Sequence, residues 1–371
     1  MNCKSKKLFF KNSKQFLNIL YVILRAVIYG SPGYGCIMKS MVSFRIIAGK
    51  LVKLAKSWSM PLGICTGIAV YAAFHFLSFL NPLKPAAEVT AEHLIPLLQF
   101  VMLFFTFCKV RPRDMKIRKW HLQVAAIQVL ACLAIAMPLH FFPDFRYAAV
   151  AEGIMVCIVC PTAAAAAVIT GRLGGNESSL TTYTIISNIV AAVVIPLAFP
   201  LVEKHGEMSF FMQFAVILKM VFPVLICPLF AAWIVRRFFP KLLAAILRYC
   251  GSLAFYLWAF SLIMIIAQAL RSVVNGHFGA WLLWVQAGTS LVLCVILFFC
   301  GKILGGRYGD RTSAGQAMGQ KNTVFAIWVS VAYLSPVVSV APSCYILWQN
   351  IFNSWQLWRR QTSGVQPRKG E

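Results

Sequence analysis

The stretch Cys157-Ile158-Val159-Cys160-Pro161-Thr162-Ala163-Ala164-Ala165-Ala166-Ala167-Val168-Ile169-Thr170-Gly171 decides how this chain folds. It is apolar enough for a lipid-buried helix. Near its middle, however, Pro161 removes one backbone hydrogen bond and clashes with the preceding turn. The alanines after it allow another backbone to approach closely. A second interruption, Gly319-Gln320-Lys321-Asn322-Thr323, places hydrogen-bonding groups and a full charge directly before the apolar run Val324-Phe325-Ala326-Ile327-Trp328. Two long apolar segments are thus interrupted.

The rest of the chain supplies the setting. Of its 371 residues, 60% are hydrophobic and 12% charged, which excludes an ordinary soluble domain and reads as a polytopic membrane protein. Lys and Arg number 35 against 10 Asp and Glu, but the basic residues fall in short clusters between apolar runs. No basic face is interleaved with stacking aromatics, so nucleic acid is not a partner. Most of the 12 cysteines, among them Cys65, Cys132, Cys294 and Cys300, sit singly in apolar stretches and read as packing residues. Cys157 and Cys160 form a CxxC without a second pair, so neither a metal site nor a cofactor is expected.

From residue 60 onward, ten apolar segments approach the ~20 residues that a ~30 Å hydrocarbon core demands of a helix. They are 60–80, 93–108, 121–142, 147–171, 179–202, 209–235, 243–270, 278–301, 312–334 and 336–357. Runs this long without period-two alternation exclude a β-barrel. Residues 1–56 carry 11 basic residues and no acid, and read as a basic cytoplasmic arm, disordered or interfacial, or as a start placed upstream of Met41.

Alternate loops hold 29 of the 35 basic residues, counting the arm, the Lys109–Lys119 loop and the 359–371 tail. That asymmetry places both termini in the cytoplasm. Lys219 and Lys321 remain inside expected segments, where a charge is costly and by default functional. Glu152 lies on the fourth segment, and a Lys219–Glu152 ion pair is expected. Trp58, Trp120, Trp281 and Trp348 read as interface anchors. Thr181, Thr184 and Asn188, with Ser187 beside them, form a polar stripe on the fifth segment.

The interruptions occupy matching places in two groups of five segments, the sequence mark of an inverted-repeat transporter. Cys160-Pro161 followed by small residues, then Val168-Ile169-Thr170, Gly175, and Thr182-x-Thr184-x-x-Ser187, resembles the CPGGTASNVVT…G…T.T..S pattern of the bile acid:sodium symporter family. Gly319-x-x-Asn322-Thr323 with Phe325-Ala326 is similar to its EVGMQNSGLA segment. The resemblance implies an all-α fold of ten membrane helices, a 5+5 inverted repeat spanning 57–204 and 205–358. Helices one, two, six and seven would form a panel, and the other six a core holding the crossed, interrupted fourth and ninth helices.

The departures shape the functional expectation. Where the family has sodium ligands, this chain has Ala166, Ala167, Leu180 and Ala317. Lys321 stands in place of the family's glutamine, while Gln128, Thr184 and Gln320 are the remnants of its ion sites. The resemblance implies a plasma-membrane secondary transporter of a small or amphipathic organic anion, not an enzyme. Its solute would meet Pro161, Thr162, Thr184, Asn188, Gly319, Gln320, Lys321, Asn322 and Thr323. Lys321 would stand in for a mobile cation and weaken or abolish sodium coupling, leaving proton coupling, residual sodium use or plain exchange. The competing reading of Lys321 has its amine snorkel to the cytoplasmic interface. Alternatives are an arsenite or metalloid exporter using Cys157 or Cys160, and a non-transporting sensor or structural membrane protein.

Overall fold

In lipid, a single apolar segment satisfies its own backbone only as a helix. The computed structural model describes residues 59–110, 112–202, 208–249, 253–276 and 278–362, and among these it holds α-helices, short 3-10 turns and no strand. In chain order the helices are α1 (Ser59–Phe76), α2 (Lys84–Lys109), α3 (Lys119–Phe141), α4 (Ala148–Val159), α5 (Ala166–Arg172), α6 (Glu177–Val202) and α7 (Phe210–Leu225). There follow α8 (Cys227–Phe238), α9 (Pro240–Tyr249), α10 (Leu253–Asn275), α11 (Ala280–Gly306), α12 (Arg311–Gly319), α13 (Thr323–Tyr333) and α14 (Val340–Thr362). The chain divides into two compact units, Met1–Leu62 and Gly63–Glu371, and all that follows concerns the second. The expected N-terminal arm lies outside the described residues, as does the tail beyond Thr362.

Among the described residues, six helical runs are long and apolar enough to cross a membrane: Ser78–Lys109, Lys119–Phe141, Glu177–Val202, Phe210–Phe238, Tyr256–Asn275 and Ala280–Gly306. Leu62–Phe76, Ala148–Val159 and Thr323–Tyr333 are shorter apolar helices. Two boundaries differ from expectation. The second segment begins at Lys84, where Pro85 supplies a preset φ for the first turn. The seventh splits, because Pro240–Tyr249 folds as a separate helix with no buried residue, its leucines on one side and Lys241 and Arg248 among its polar positions.

Packing falls into two groups. α2 lies against α7, α8 and α10, and α1 meets α10 where Gly67 approaches the backbone of Ile263 too closely for any side chain. Elsewhere α3 packs on α4 and α6, while α11 packs on α4, α12 and α14. Along the α11–α12 seam, Gly301 and Gly305 face Ala314 with no room for a β-carbon, so the two backbones touch directly.

One buried carboxylate gathers three helix starts in the second group. Asp310, just before α12, accepts from Arg118 Nη1, from Trp120 Nε1 at 2.9 Å and from Ser179 Oγ at 3.1 Å. His121 reaches the same Ser179 hydroxyl at 3.1 Å through Nε2, while its Nδ1 accepts the Arg118 amide at 3.1 Å. Trp120 is therefore no interface anchor: it is fully buried, and its indole N–H serves this knot. Trp348 is also drawn inward, donating to the Ala287 carbonyl at 3.1 Å and to Ser290 Oγ at 3.2 Å.

Candidate functional site

The first break begins at Cys160, whose backbone is extended (φ −59°, ψ 142°) as the residue before a proline requires. Thr162 continues that extended geometry, and the chain turns back into helix at Ala166. The second break runs from Gln320 (φ −100°, ψ 94°) to Asn322, whose side-chain oxygen then accepts the Phe325 amide at 3.4 Å as the N-cap of α13.

The two breaks meet. Thr162 and Lys321 form an antiparallel bridge, with Ala163 N donating to Gln320 O at 2.9 Å and Asn322 N donating to Pro161 O at 2.8 Å. Each bridge residue also gives its amide to a side chain from another helix. Thr162 N donates to Ser187 Oγ of α6 at 3.1 Å, and Lys321 N donates to Gln349 Oε1 of α14 at 2.8 Å. Gln349 completes a two-way pair by donating to Lys321 O at 3.2 Å. Thr162 Oγ1 donates to Ala317 O at 2.8 Å, and the Tyr345 hydroxyl donates to Gly319 O at 2.8 Å. Gly319 itself is pressed against the Phe298 ring, where any β-carbon would overlap it.

A helix that stops leaves its last carbonyls without intrahelical partners. At the end of α4 those carbonyls are claimed by side chains. Lys321 Nζ donates to Ile158 O at 2.8 Å and to Cys160 O at 3.2 Å, and Gln128 Nε2 of α3 donates to Val159 O at 2.6 Å. Gln128 is held in turn by the Tyr183 hydroxyl, which donates to its Oε1 at 3.1 Å. The C-terminus of a helix carries partial negative charge, so an ammonium there meets both the free lone pairs and the favourable end of the dipole. Lys321 is only 4% exposed, and its amine points into the protein rather than toward an interface.

Of the residues singled out in the sequence, the crossing thus brings together Pro161, Thr162, Gln128, Gly319, Gln320, Lys321 and Asn322. Thr323 is buried at the first turn of α13. Thr184 and Asn188 are buried on α6 beside Ser187: Thr184 Oγ1 bonds its own helix at Leu180 O, and Asn188 Nδ2 donates to Thr184 O at 2.7 Å. Thr181 stands apart, half-exposed, with its hydroxyl on Glu177 O. Glu152 is buried on α4 and Lys219 is exposed on α7. Asn188 Oδ1, Gln320 Oε1 and Asn322 Nδ2 are buried with no protein partner.

Sequence reasoning found α14 as the tenth segment but missed its polar face. Tyr345, Gln349 and Asn353 recur at i, i+4 and i+8 on its buried face, and Asn353 Oδ1 accepts from Gln316 Nε2 of α12 at 2.9 Å. The same periodicity that flagged the stripe on the fifth segment would have found this one on the tenth.

An all-helical membrane protein with two broken helices joined through a buried lysine has the form of a carrier. Residues 96–276 match the model of the Sodium Bile acid symporter family, a stretch that includes the first break and ends before the second. A protein of Bacillus subtilis (strain 168), described as the uncharacterized sodium-dependent transporter YocS, is 28% identical over 238 residues, covering 62% of this chain and 68% of its own length. These matches bear out the resemblance drawn from the motifs. Over just under half of its length the chain is thus similar to the sodium bile acid symporter family, and its apolar helices are those of a multi-pass membrane protein.

Proposed function

We propose that this chain is a secondary transporter of a small or amphipathic organic anion in a bacterial plasma membrane, in which Lys321 is a tethered substitute for a transported cation. The carrying observation is the pair of bonds from Lys321 Nζ to the Ile158 and Cys160 carbonyls. A fixed ammonium satisfies there the carbonyl lone pairs that a metal ion would otherwise meet, and it cannot leave. The polar side chains bonded at the crossing are uncharged apart from Lys321, and a monovalent hard cation ordinarily needs several oxygens, a carboxylate among them.

Ten membrane helices in two inverted groups of five fit the packing. α1, α2, α7 with α8, and α10 are the panel; α3, α4 with α5, α6, α11, α12 with α13, and α14 are the core. The reciprocity at the crossing supports this, because Ser187 and Gln349 lie on the fifth helix of each group and receive the amides of Thr162 and Lys321. Since Lys321 Nζ is committed to α4, its charge favours an anion through the local field. Direct contacts fall to groups left over: Asn322 Nδ2 suits a carboxylate, and Gln320 Oε1 and Asn188 Oδ1 suit a hydroxyl. Both termini would lie in the cytoplasm, beside the basic loops.

The Bacillus subtilis relative is described as sodium-dependent, so the reading predicts a difference between the two. Reconstituted into proteoliposomes, this protein is expected to take up organic anions equally with and without a sodium gradient. Strict sodium dependence would refute the substitute-cation mechanism and leave the carrier assignment standing. The metalloid alternative would use Cys157 or Cys160, both buried, and transport unchanged after replacing both would remove it.

A further inference from the structure

Far from the crossing, at the end of α2 opposite the six-base loop Lys109–Lys119, a recess of about 520 Å³ opens between α1, α2 and α10. It is built from the last turns of α1, the first turns of α2 and the last turns of α10. Only 10 acids occur in the whole chain, and two of them, Glu88 and Glu92, line this recess with Lys84 and Arg271. Its lining also includes the apolar Ala87, Ala91, Met264 and Ala267 and the rings of Tyr71 and Phe74.

The charges sort themselves. Lys84, Glu88 and Glu92 follow one another at helical i, i+4 and i+8, so they share one face of α2. Arg271 of α10 bonds Glu88 at 2.7 Å, tying the two helices together across the middle of the recess. Lys84 and Glu92 flank that pair, and neither has an ion-pair partner among the described residues. The recess therefore presents one uncommitted cation and one uncommitted anion about 12 Å apart along the helix axis. The flexible stem of each side chain shortens that gap. Apolar lining residues stand beside them, and because α1, α2 and α10 all end or begin here, a membrane crossed by these helices would place the recess near its boundary with water.

We infer that this recess is a binding site for a zwitterionic phospholipid headgroup of the phosphoethanolamine type, its phosphate on Lys84 and its ammonium on Glu92 beside the Tyr71 and Phe74 rings. A purely anionic headgroup would meet Glu92 and the already neutralised Glu88–Arg271 pair; a dipolar one matches both free charges and lays its acyl chains along the apolar lining residues. The site needs only the membrane setting and makes no use of the transported solute or of sodium. Failure of the carrier mechanism and failure of this site are therefore separable.

Native mass spectrometry of the detergent-purified full chain, titrated with phosphatidylethanolamine or phosphatidylglycerol, tests it. Preferential retention of phosphatidylethanolamine is expected, weakened by about three- to tenfold in Lys84→Gln and again in Glu92→Gln, with phosphatidylglycerol retention unchanged. Thermal unfolding of the lipid-free variants should match the parent, because the Glu88–Arg271 tie is left intact. Equal retention of the two lipids, or wild-type retention by the double variant, would overturn the site. Equal stabilisation by soluble phosphoethanolamine and by the intact lipid would overturn the lipid assignment in favour of a free dipolar solute.

Discussion

The two broken helices differ in what breaks them and in what they offer each other. α4 is interrupted by covalent geometry: a proline ends the hydrogen-bond ladder and leaves carbonyl acceptors. The α12–α13 break contains no proline. It is held open by side chains, with Gln349 on both sides of the Lys321 peptide and Asn322 starting the next helix. Backbone bonds run both ways between the breaks, but the one charged donor, Lys321 Nζ, comes from the second and meets carbonyls of the first. Symmetry in the backbone therefore coexists with asymmetry in charge, and the asymmetric part is the part expected to carry function.

Removing that charge should have the largest effect. Lys321→Leu strands the Ile158 and Cys160 carbonyls, at about 1–3 kcal/mol each, but it also abolishes the cost of holding an ammonium at depth, which is about as large. Net stability is therefore expected to change modestly while anion uptake falls at least a hundredfold. Proteoliposome flux read beside thermal unfolding separates the two, and full uptake in the variant would remove Lys321 from the mechanism.

The next comparison sets one clamp against the other. Gln349→Leu removes partners from both the N–H and the C=O of Lys321, whereas Ser187→Ala removes one acceptor, that of the Thr162 amide. A loss of about 2 kcal/mol or more is expected for the first and about 1 kcal/mol for the second. Denaturation in a single detergent would measure both. Equal losses would mean that the second break does not depend more on its side chains than the first.

Pro161→Ala should have the smallest effect, about 1 kcal/mol or less, because the extended segment is also pinned by Thr162 N on Ser187 and by Ala163 N across the bridge. A large loss of uptake with unchanged stability would show that the proline sets the crossing by itself.

How much of this was legible in the sequence follows the range of the interactions. Pro161 and the Gln320–Asn322 cluster marked the breaks because each violates the local rule for an apolar helix. Lys321 stood out because it is a charge in an apolar run. That its amine would reach the end of α4 was not legible, since the contact spans 163 residues in sequence. The Asp310 knot was missed for the same reason, its partners Arg118 and Trp120 lying 192 and 190 residues away. Gln349 and Tyr345 were missed differently: both lie in the expected tenth segment, but its polar stripe attracted no notice.

The knot at Asp310 bears on how such a carrier can move. Pulling any one of α3, α6 or α12 away from the other two would leave an ionised carboxylate short of the donors that make its burial tolerable. Shape change in this half of the molecule is thus cheapest as a tilt of the whole helical block, with the lysine crossing riding inside it like an axle in its hub.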